Sequence, residues 1–488
     1  MSFACCNFAH AGVMGNKGKS LLFWRMRQTF VALGPFLLTI SVGLAEGYSA
    51  VLLPQLERGS PWEITDELSS WIASITTLPM SFGCLLGGVS MEIVGRKSLF
   101  IITSLINVFG WLLIAFCGQS IAMLLAGRFI TGLCVGIISA VISVFVAETS
   151  DPESRGFLLG IGTSAVNVGI AAAHVLGTYL EWRMVAVLSC AFPISCFVVM
   201  LFVPESPTFL IKRGKLEKGK EAFYWCRGHG AAAELELSEL ISRHQAQSCL
   251  PKMSISSSIK SFTKPELYKP LLILIVFFTT MQWSGNNPIA FYTINILEQL
   301  LKGRIDSYTS MFFMDATRVI ASIMACFCQR YLGRRSLMIF SCLGTFLSLL
   351  TLSTVSFLAL TYTTIYEKYM WISVTALVAY MFFTNVGLVP LPYSMIGELF
   401  SQRTRGLGSG TATFYNMILM FVIVKITPFL FKSLASEGAF LLFAGSCFVG
   451  MVLLIFILPE TKAKPLHEIE DNFRNVSNKT KQCISRTL

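Results

Sequence analysis

The chain has 488 residues, of which 54% are hydrophobic and only 13% charged, and its mean hydropathy is +0.66. A soluble chain of this size carries about a quarter charged residues, so this one lacks the polar surface for a water-facing exterior. Composition therefore argues for a membrane protein and against a soluble enzyme. The formal charge of +11 gathers at 17–27, 212–269 and 462–486, between or beyond the apolar stretches. It reads as membrane orientation and not as a face for nucleic acid.

A bilayer core needs about 20 apolar residues per helix. Apolar segments of that kind lie at 30–53, 70–91, 98–117, 121–146, 157–180 and 184–203, and again at 270–297, 308–330, 336–360, 370–397, 407–431 and 439–458. The pattern predicts an all-α membrane protein of twelve spans, in two pseudo-symmetric bundles over 30–203 and 270–458. The polar stretch 204–269 separates them, with short helices expected near 215–224 and 231–243. It is rich in Lys and Arg, which places it in the cytoplasm. An even span count puts the tails 1–29 and 459–488 on the same side. The segment 57–67 holds four acids against one Arg and reads as external. The sequons at Asn475 and Asn478 then fall in a cytoplasmic tail and stay unglycosylated.

Fourteen cysteines in loops would suggest a disulfide scaffold, but nine of them, Cys84, Cys117, Cys134, Cys190, Cys196, Cys326, Cys328, Cys342 and Cys447, sit inside apolar runs. They read as small packing residues. Cys5 and Cys6, beside a basic tail, stand as candidates for acylation. Glycine pairs Gly83/Gly87, Gly132/Gly136 and Gly406/Gly410 have the spacing of close helix packing.

The two halves repeat the same polar markers in the same order. Gly95-Arg96-Lys97 follows the second span and Gly333-Arg334-Arg335 the eighth. Glu148 with Arg155-Gly156 ends the fourth, and Glu398 with Arg405-Gly406 ends the tenth at the same spacing. Pro204-Glu205 ends the sixth and Pro459-Glu460 the twelfth. The offsets are 238, 250 and 255 residues, roughly half the chain, as a duplicated six-helix unit requires. Arg96, Glu148, Arg155, Glu205, Arg334, Glu398, Arg405 and Glu460 are therefore expected to form a cytoplasmic salt-bridge network. It would join the two halves when their inner ends approach, and so bias a two-state equilibrium.

These motifs carry a resemblance. With Gly127-Arg128, Pro204-Glu-Ser-Pro207, Gln282-Trp-Ser-Gly-Asn-Asn287, Phe291-Tyr292, Pro390-Leu-Pro-Tyr393 and Pro459-Glu-Thr-Lys462, the chain resembles the sugar porter family of the major facilitator superfamily over about 33–469. Ser70-Trp71-Ile72, Asn416 and Lys425 look most like its insect facilitated trehalose and hexose branch. The departures are Met281 for the first of two glutamines, Thr208 for an Arg, Gln329 for an acid, Val389 for a Gly, and Tyr393 and Met417 for two Trp. The resemblance implies facilitative transport of a neutral sugar, trehalose or a hexose such as glucose, by alternating access at the plasma membrane. The glycine pairs leave dimerisation open, but packing within the bundle, and so a working monomer, is the default reading, and no cofactor is expected. A proton symporter and a non-transporting sugar sensor are the alternatives.

The residue chemistry agrees. A polyol needs groups that both donate and accept, with aromatic walls. Gln282 and Asn287 stand i and i+5, roughly 140° apart on a regular helix, and Gly285 and Pro288 can break that helix so that both face one site. Asn167, Asn416 and Tyr393 join them by resemblance as substrate contacts, and Phe291 and Tyr292 as an outer gate. Asp315 and Arg318, i and i+3, are expected to pair inside the membrane. Arg128 stands at a family position with a structural or gating role. His174 is an interfacial His or a pH-sensitive contact, and Lys425 is expected to snorkel outward. Proton-coupled relatives resemble one another in a first-helix Gly-Tyr-Asp, where this chain has Glu46-Gly47-Tyr48-Ser49. Nothing in the sequence has metal-ligand spacing, a phosphate loop or a nucleophile with its base.

Overall fold

The computed structural model describes residues 3–59, 64–248, 262–301, 306–361, 363–400 and 405–460; Asn475, Asn478 and the rest of the C-terminal tail lie outside them. Twelve helical stretches are long and apolar enough to cross a membrane. The first set runs Met26–Gly59, Asp66–Ile93, Arg96–Ala115, Ile121–Thr149, Phe157–Tyr179 and Trp182–Phe202. The second runs Pro265–Phe291, Ser307–Tyr331, Arg334–Ala359, Trp371–Ile396, Gly406–Ser433 and Ala435–Ile457. No strand occurs among the described residues. They are called the first to twelfth spans below.

Local chemistry sets the ends. Ser120 and Asp306 cap their helices by accepting from the backbone of Met123 (3.4 Å) and Thr309 (2.9 Å). Pro207, Pro265 and Pro390 stand in the first turn, where no donor is needed. Large apolar side chains such as Phe82, Val89, Phe109, Phe313, Phe327 and Phe456 point outward. The outer surface is thus made for hydrocarbon, and polar side chains turn inward.

Small residues bring helices together. The second and fourth spans cross at Gly83 and Gly136, where an added Cβ would run into the Leu133 and Met80 carbonyls. Gly406 and Gly410 do not do the same: both face open space, so their spacing is not a packing pair here. The ten cysteines Cys84, Cys117, Cys134, Cys190, Cys196, Cys226, Cys326, Cys328, Cys342 and Cys447 are free thiols.

Among the described residues, the segment between the halves holds three helices, Pro207–Lys212, Leu216–Arg227 and Ala231–Ser248, packed on Ile211, Phe223 and Leu237. It docks on the first bundle. Arg227 pairs with Asp151 at 2.5 Å, and Gln28 donates to Asp151 (2.7 Å) and to the Cys226 carbonyl (3.3 Å). This end of the molecule is called the linker side, and the opposite end the far side.

Candidate functional site

The seventh span is not one helix. Its first segment, Pro265–Trp283, stops at Ser284, and Gly285 takes a left-handed φ of +83° before Asn286–Phe291 begins. A side chain there would be strained by φ and would also meet the Phe443 ring. Breaking a helix inside a membrane frees carbonyls that must be satisfied. The Tyr380 hydroxyl donates to the Ser284 carbonyl at 3.0 Å, and the Ser446 hydroxyl to that of Trp283 at 2.6 Å.

The break brings Gln282 and Asn287 together. Asn287 Nδ2 donates to Gln282 Oε1 at 2.7 Å, Gln282 Nε2 to Asn416 Oδ1 at 2.8 Å, and Asn416 Nδ2 to the Tyr393 hydroxyl at 2.9 Å. Asn286 starts the chain, 3.4 Å from Asn287 Oδ1. One polar thread therefore joins the seventh, tenth and eleventh spans. Gln282 and Asn416 are fully buried, while Tyr393 is 38% accessible and leans edge-on against Phe278. The thread thus ends at a partly accessible tyrosine. Asn167 lies half-buried on the fifth span, in the other bundle, and has no hydrogen bond to this thread. Phe291 and Tyr292 are buried just beyond the break, and the Tyr292 hydroxyl reaches the Val424 carbonyl at 3.3 Å.

The tenth span has its own irregularity, a π-helical stretch at Thr384–Leu388 before Pro390. The Ser341 hydroxyl donates to the Phe383 carbonyl and accepts from the Leu388 N–H, both at 2.6 Å. Such stretches often stand at functional sites. Nothing in the sequence beyond Pro390 and Pro392 marked it.

Buried charges have charged or polar partners. Asp315 Oδ1 and Arg318 Nη1 lie 3.4 Å apart, as their spacing predicts. A second partner comes from the other bundle: His174 Nδ1 stands 2.6 Å from Asp315 Oδ2. Arg128 bonds the Ser49 hydroxyl and lies 5.7 Å above the Tyr48 ring, tying the fourth span to the first. Lys425 does not snorkel into open water. Its Nζ donates to Ser70 Oγ at 2.7 Å and sits 3.9 Å over the Trp71 ring, across the bundle boundary. Arg58 with Glu298 (2.8 Å) and Lys432 with Asp66 also cross that boundary, so the two bundles meet at the far side.

The linker-side residues obey the repeat closely. In the first half Arg96 pairs with Glu148 at 3.1 Å, and Glu205 accepts from the backbone N–H groups of Arg96 and Lys97, each at 3.0 Å. In the second, Arg334 pairs with Glu398 at 2.8 Å, and Glu460 accepts from the backbone of Arg334 (2.9 Å) and Arg335 (3.1 Å). Each acid neutralises the positive end of a helix dipole. These bonds close within a bundle. The side chains of Arg155 and Arg405 lie outside the described residues.

No group of three metal-ligating side chains occurs among the described residues. Comparison with known proteins gives a consistent result. Residues 28–473 match the family described as "Sugar (and other) transporter". The facilitated trehalose transporter Tret1 of Anopheles gambiae is 32% identical over 91% of this chain and 55% of its own length. The Tret1-2 homolog of Drosophila simulans is 32% identical over 91% of this chain and 90% of its own. The chain thus spans about half the length of the Anopheles relative, and of the Aedes aegypti one as well. The proton:xylose symporter XylE bound to a bromodeoxyglucose superposes with a TM-score of 0.73 at 16% identity, covering 92% of this chain and 99% of that one. The inward-open form of XylE from E. coli gives 0.74. Twelve spans, two like halves and a polar thread at a broken seventh span are thus set in a multi-pass membrane protein of the major facilitator fold, and the chain belongs to the sugar (and other) transporter family.

Proposed function

We propose that the protein carries a neutral sugar, trehalose or a hexose, down its gradient by alternating access. The observation that carries this reading is the thread from Asn287 through Gln282 and Asn416 to the partly accessible Tyr393. Amides and a phenol present both donors and acceptors without net charge, which suits hydroxyls, and the Tyr393 ring gives an apolar face for the sugar's C–H surface. The names of the trehalose transporter relatives support the substrate class.

The same geometry supports the cycle. Far-side contacts between bundles (Arg58 with Glu298, Lys432 with Asp66, Lys425 with Ser70) break when that side opens. The linker-side networks keep each bundle rigid while it rocks. We place both termini and the linker in the cytoplasm, from the basic charge of 212–269, and the protein in the plasma membrane as a working monomer.

Uptake of labelled glucose and trehalose in oocytes, at acidic and neutral external pH and against uninjected cells, tests the proposal. Saturable uptake of one label, equal at both pH values, is expected. Uptake that rises with acid and collapses with the proton gradient would replace diffusion by symport; surface-expressed protein that moves neither sugar would overturn the reading.

A further inference from the structure

Asp315 has one partner in each bundle, and the two bonds are unequal. His174 Nδ1, on the fifth span, stands 2.6 Å from Oδ2, whereas Arg318 Nη1, one turn along the same helix, stands 3.4 Å from Oδ1. All three side chains are buried. An ionised carboxylate only accepts, so the proton lies on Nδ1 and His174 donates. That contact is as short as charge-assisted bonds come, and the Arg318 contact is long for one. Arg318 Nη2 leans instead on the Met381 sulfur at 3.4 Å, a weak acceptor. The guanidinium thus keeps bonding capacity in reserve beside the carboxylate. His174 has no second attachment of its ring: Nε2 is buried without a hydrogen-bond partner among the described residues.

Position matters as much as bonding. His174 lies five residues from the far-side end of the fifth span at Tyr179, and Asp315 eight from that of the eighth at Ser307. The triad therefore sits in the half of the membrane where Arg58 meets Glu298 and Lys425 meets Ser70. Nearer the linker side the same two spans touch through Gly160 and Cys326, where an added Cβ would come within 2.5 Å of the sulfur. That contact can shift without stranding a charge; the one at Asp315 cannot.

We infer that Asp315 is handed from His174 to Arg318 as the bundles rock. It is bonded to His174 while the bundles meet at the far side. It turns to Arg318 when that side opens and the fifth span draws away from the eighth. This rests on the alternating-access reading and adds to it a device that lets the far side part. A buried carboxylate that lost its partner would make opening costly. Asp315 carries its replacement on its own helix, and side-chain rotation alone brings the planar guanidinium fork onto both oxygens. The two partners of one carboxylate therefore bias one equilibrium in opposite directions: His174 favours the closed far side, and Arg318 the open one.

The experiment is maleimide labelling of a cysteine introduced on the far-side face of the second span. It is read by mass spectrometry at that site, in purified protein, at one pH and without sugar. His174→Phe should raise the rate roughly five- to tenfold and Arg318→Met should lower it by a similar factor, while Arg318→Lys, which keeps the cation, should restore it. A triad that merely stabilised the fold would move His174→Phe and Arg318→Met the same way, and that result would overturn the handover. So would rates within about twofold of the parent in both variants. If Arg318→Met does not fold, His174→Cys decides. A hydrophilic thiol reagent should modify the introduced thiol, faster when Lys425→Met is added; no modification would show that the fifth and eighth spans never part there, and would overturn the proposal. Wild type that moves no sugar sinks the transport reading itself, whereas the labelling rates are read without sugar and judge the handover alone.

Discussion

His174 Nδ1 and Asp315 Oδ2 lie 2.6 Å apart and belong to different bundles, the fifth span and the eighth. Both side chains are buried, and Arg318 holds the other carboxylate oxygen at 3.4 Å. Removing one member of a buried charged set costs about 3–5 kcal/mol because it strands the rest. Asp315→Asn should therefore lower the melting temperature of purified protein strongly, and His174→Gln less, since it leaves the Asp315–Arg318 pair intact. Equal melting curves for all three would show that the triad carries no weight.

Gln282 stands mid-thread, bonded on both sides. Gln282→Ala strands two buried groups, an Asn287 donor and an Asn416 acceptor, whereas Asn287→Ala strands one buried Gln282 oxygen and the half-buried Asn286 amide, which water can reach. Both should abolish saturable uptake at normal surface density, and the first should also cost more thermal stability, by about 1–3 kcal/mol per stranded group. Near-normal kinetics in both variants would remove the site from these residues.

The far-side contacts differ in strength in a way that can be measured. Arg58 and Glu298 are 61% and 46% accessible, so their pair contributes about 0–1 kcal/mol. Lys425 is sandwiched between Ser70 and Trp71. Lys425→Met should raise the labelling of a cysteine introduced on the far-side face of the second span severalfold, and Glu298→Gln should change it by less than about fivefold. The reverse order would show that the exposed pair is the latch.

Outside the membrane, burial pushes the Cys226 thiol up to about 12. At pH 8 its thiolate is then about one part in ten thousand, against roughly a quarter for an ordinary cysteine. Site-resolved maleimide labelling of native protein should leave Cys226 unmodified while denatured protein labels fully. Rapid native labelling would show that the Leu216–Arg227 helix lifts off the first bundle.

The spans and the repeat were legible because bilayer thickness and duplication act on sequence directly: length, apolarity and order suffice. The broken seventh helix was legible too, since Gly285 and Pro288 are local signals. Partners across the bundle boundary were not. His174 and Asp315 are 141 residues apart, and no periodicity relates them. Lys425 read as a snorkelling side chain because its partners, Ser70 and Trp71, lie in the other half. Charge order likewise shows which residues gather at one end, and not that Glu205 and Glu460 accept from the helix termini beneath them.

The π-helical turn at Thr384–Leu388 works as a phase shifter. One extra residue in a helix turns everything after it by about 100°, so without that insertion the ring of Tyr393 would point away from Asn416. The Ser341 hydroxyl, on a different span, supplies the two bonds that hold the extra residue in place. The aim of the aromatic at the end of the polar thread is thus set from the ninth span, by a residue that touches no part of the thread.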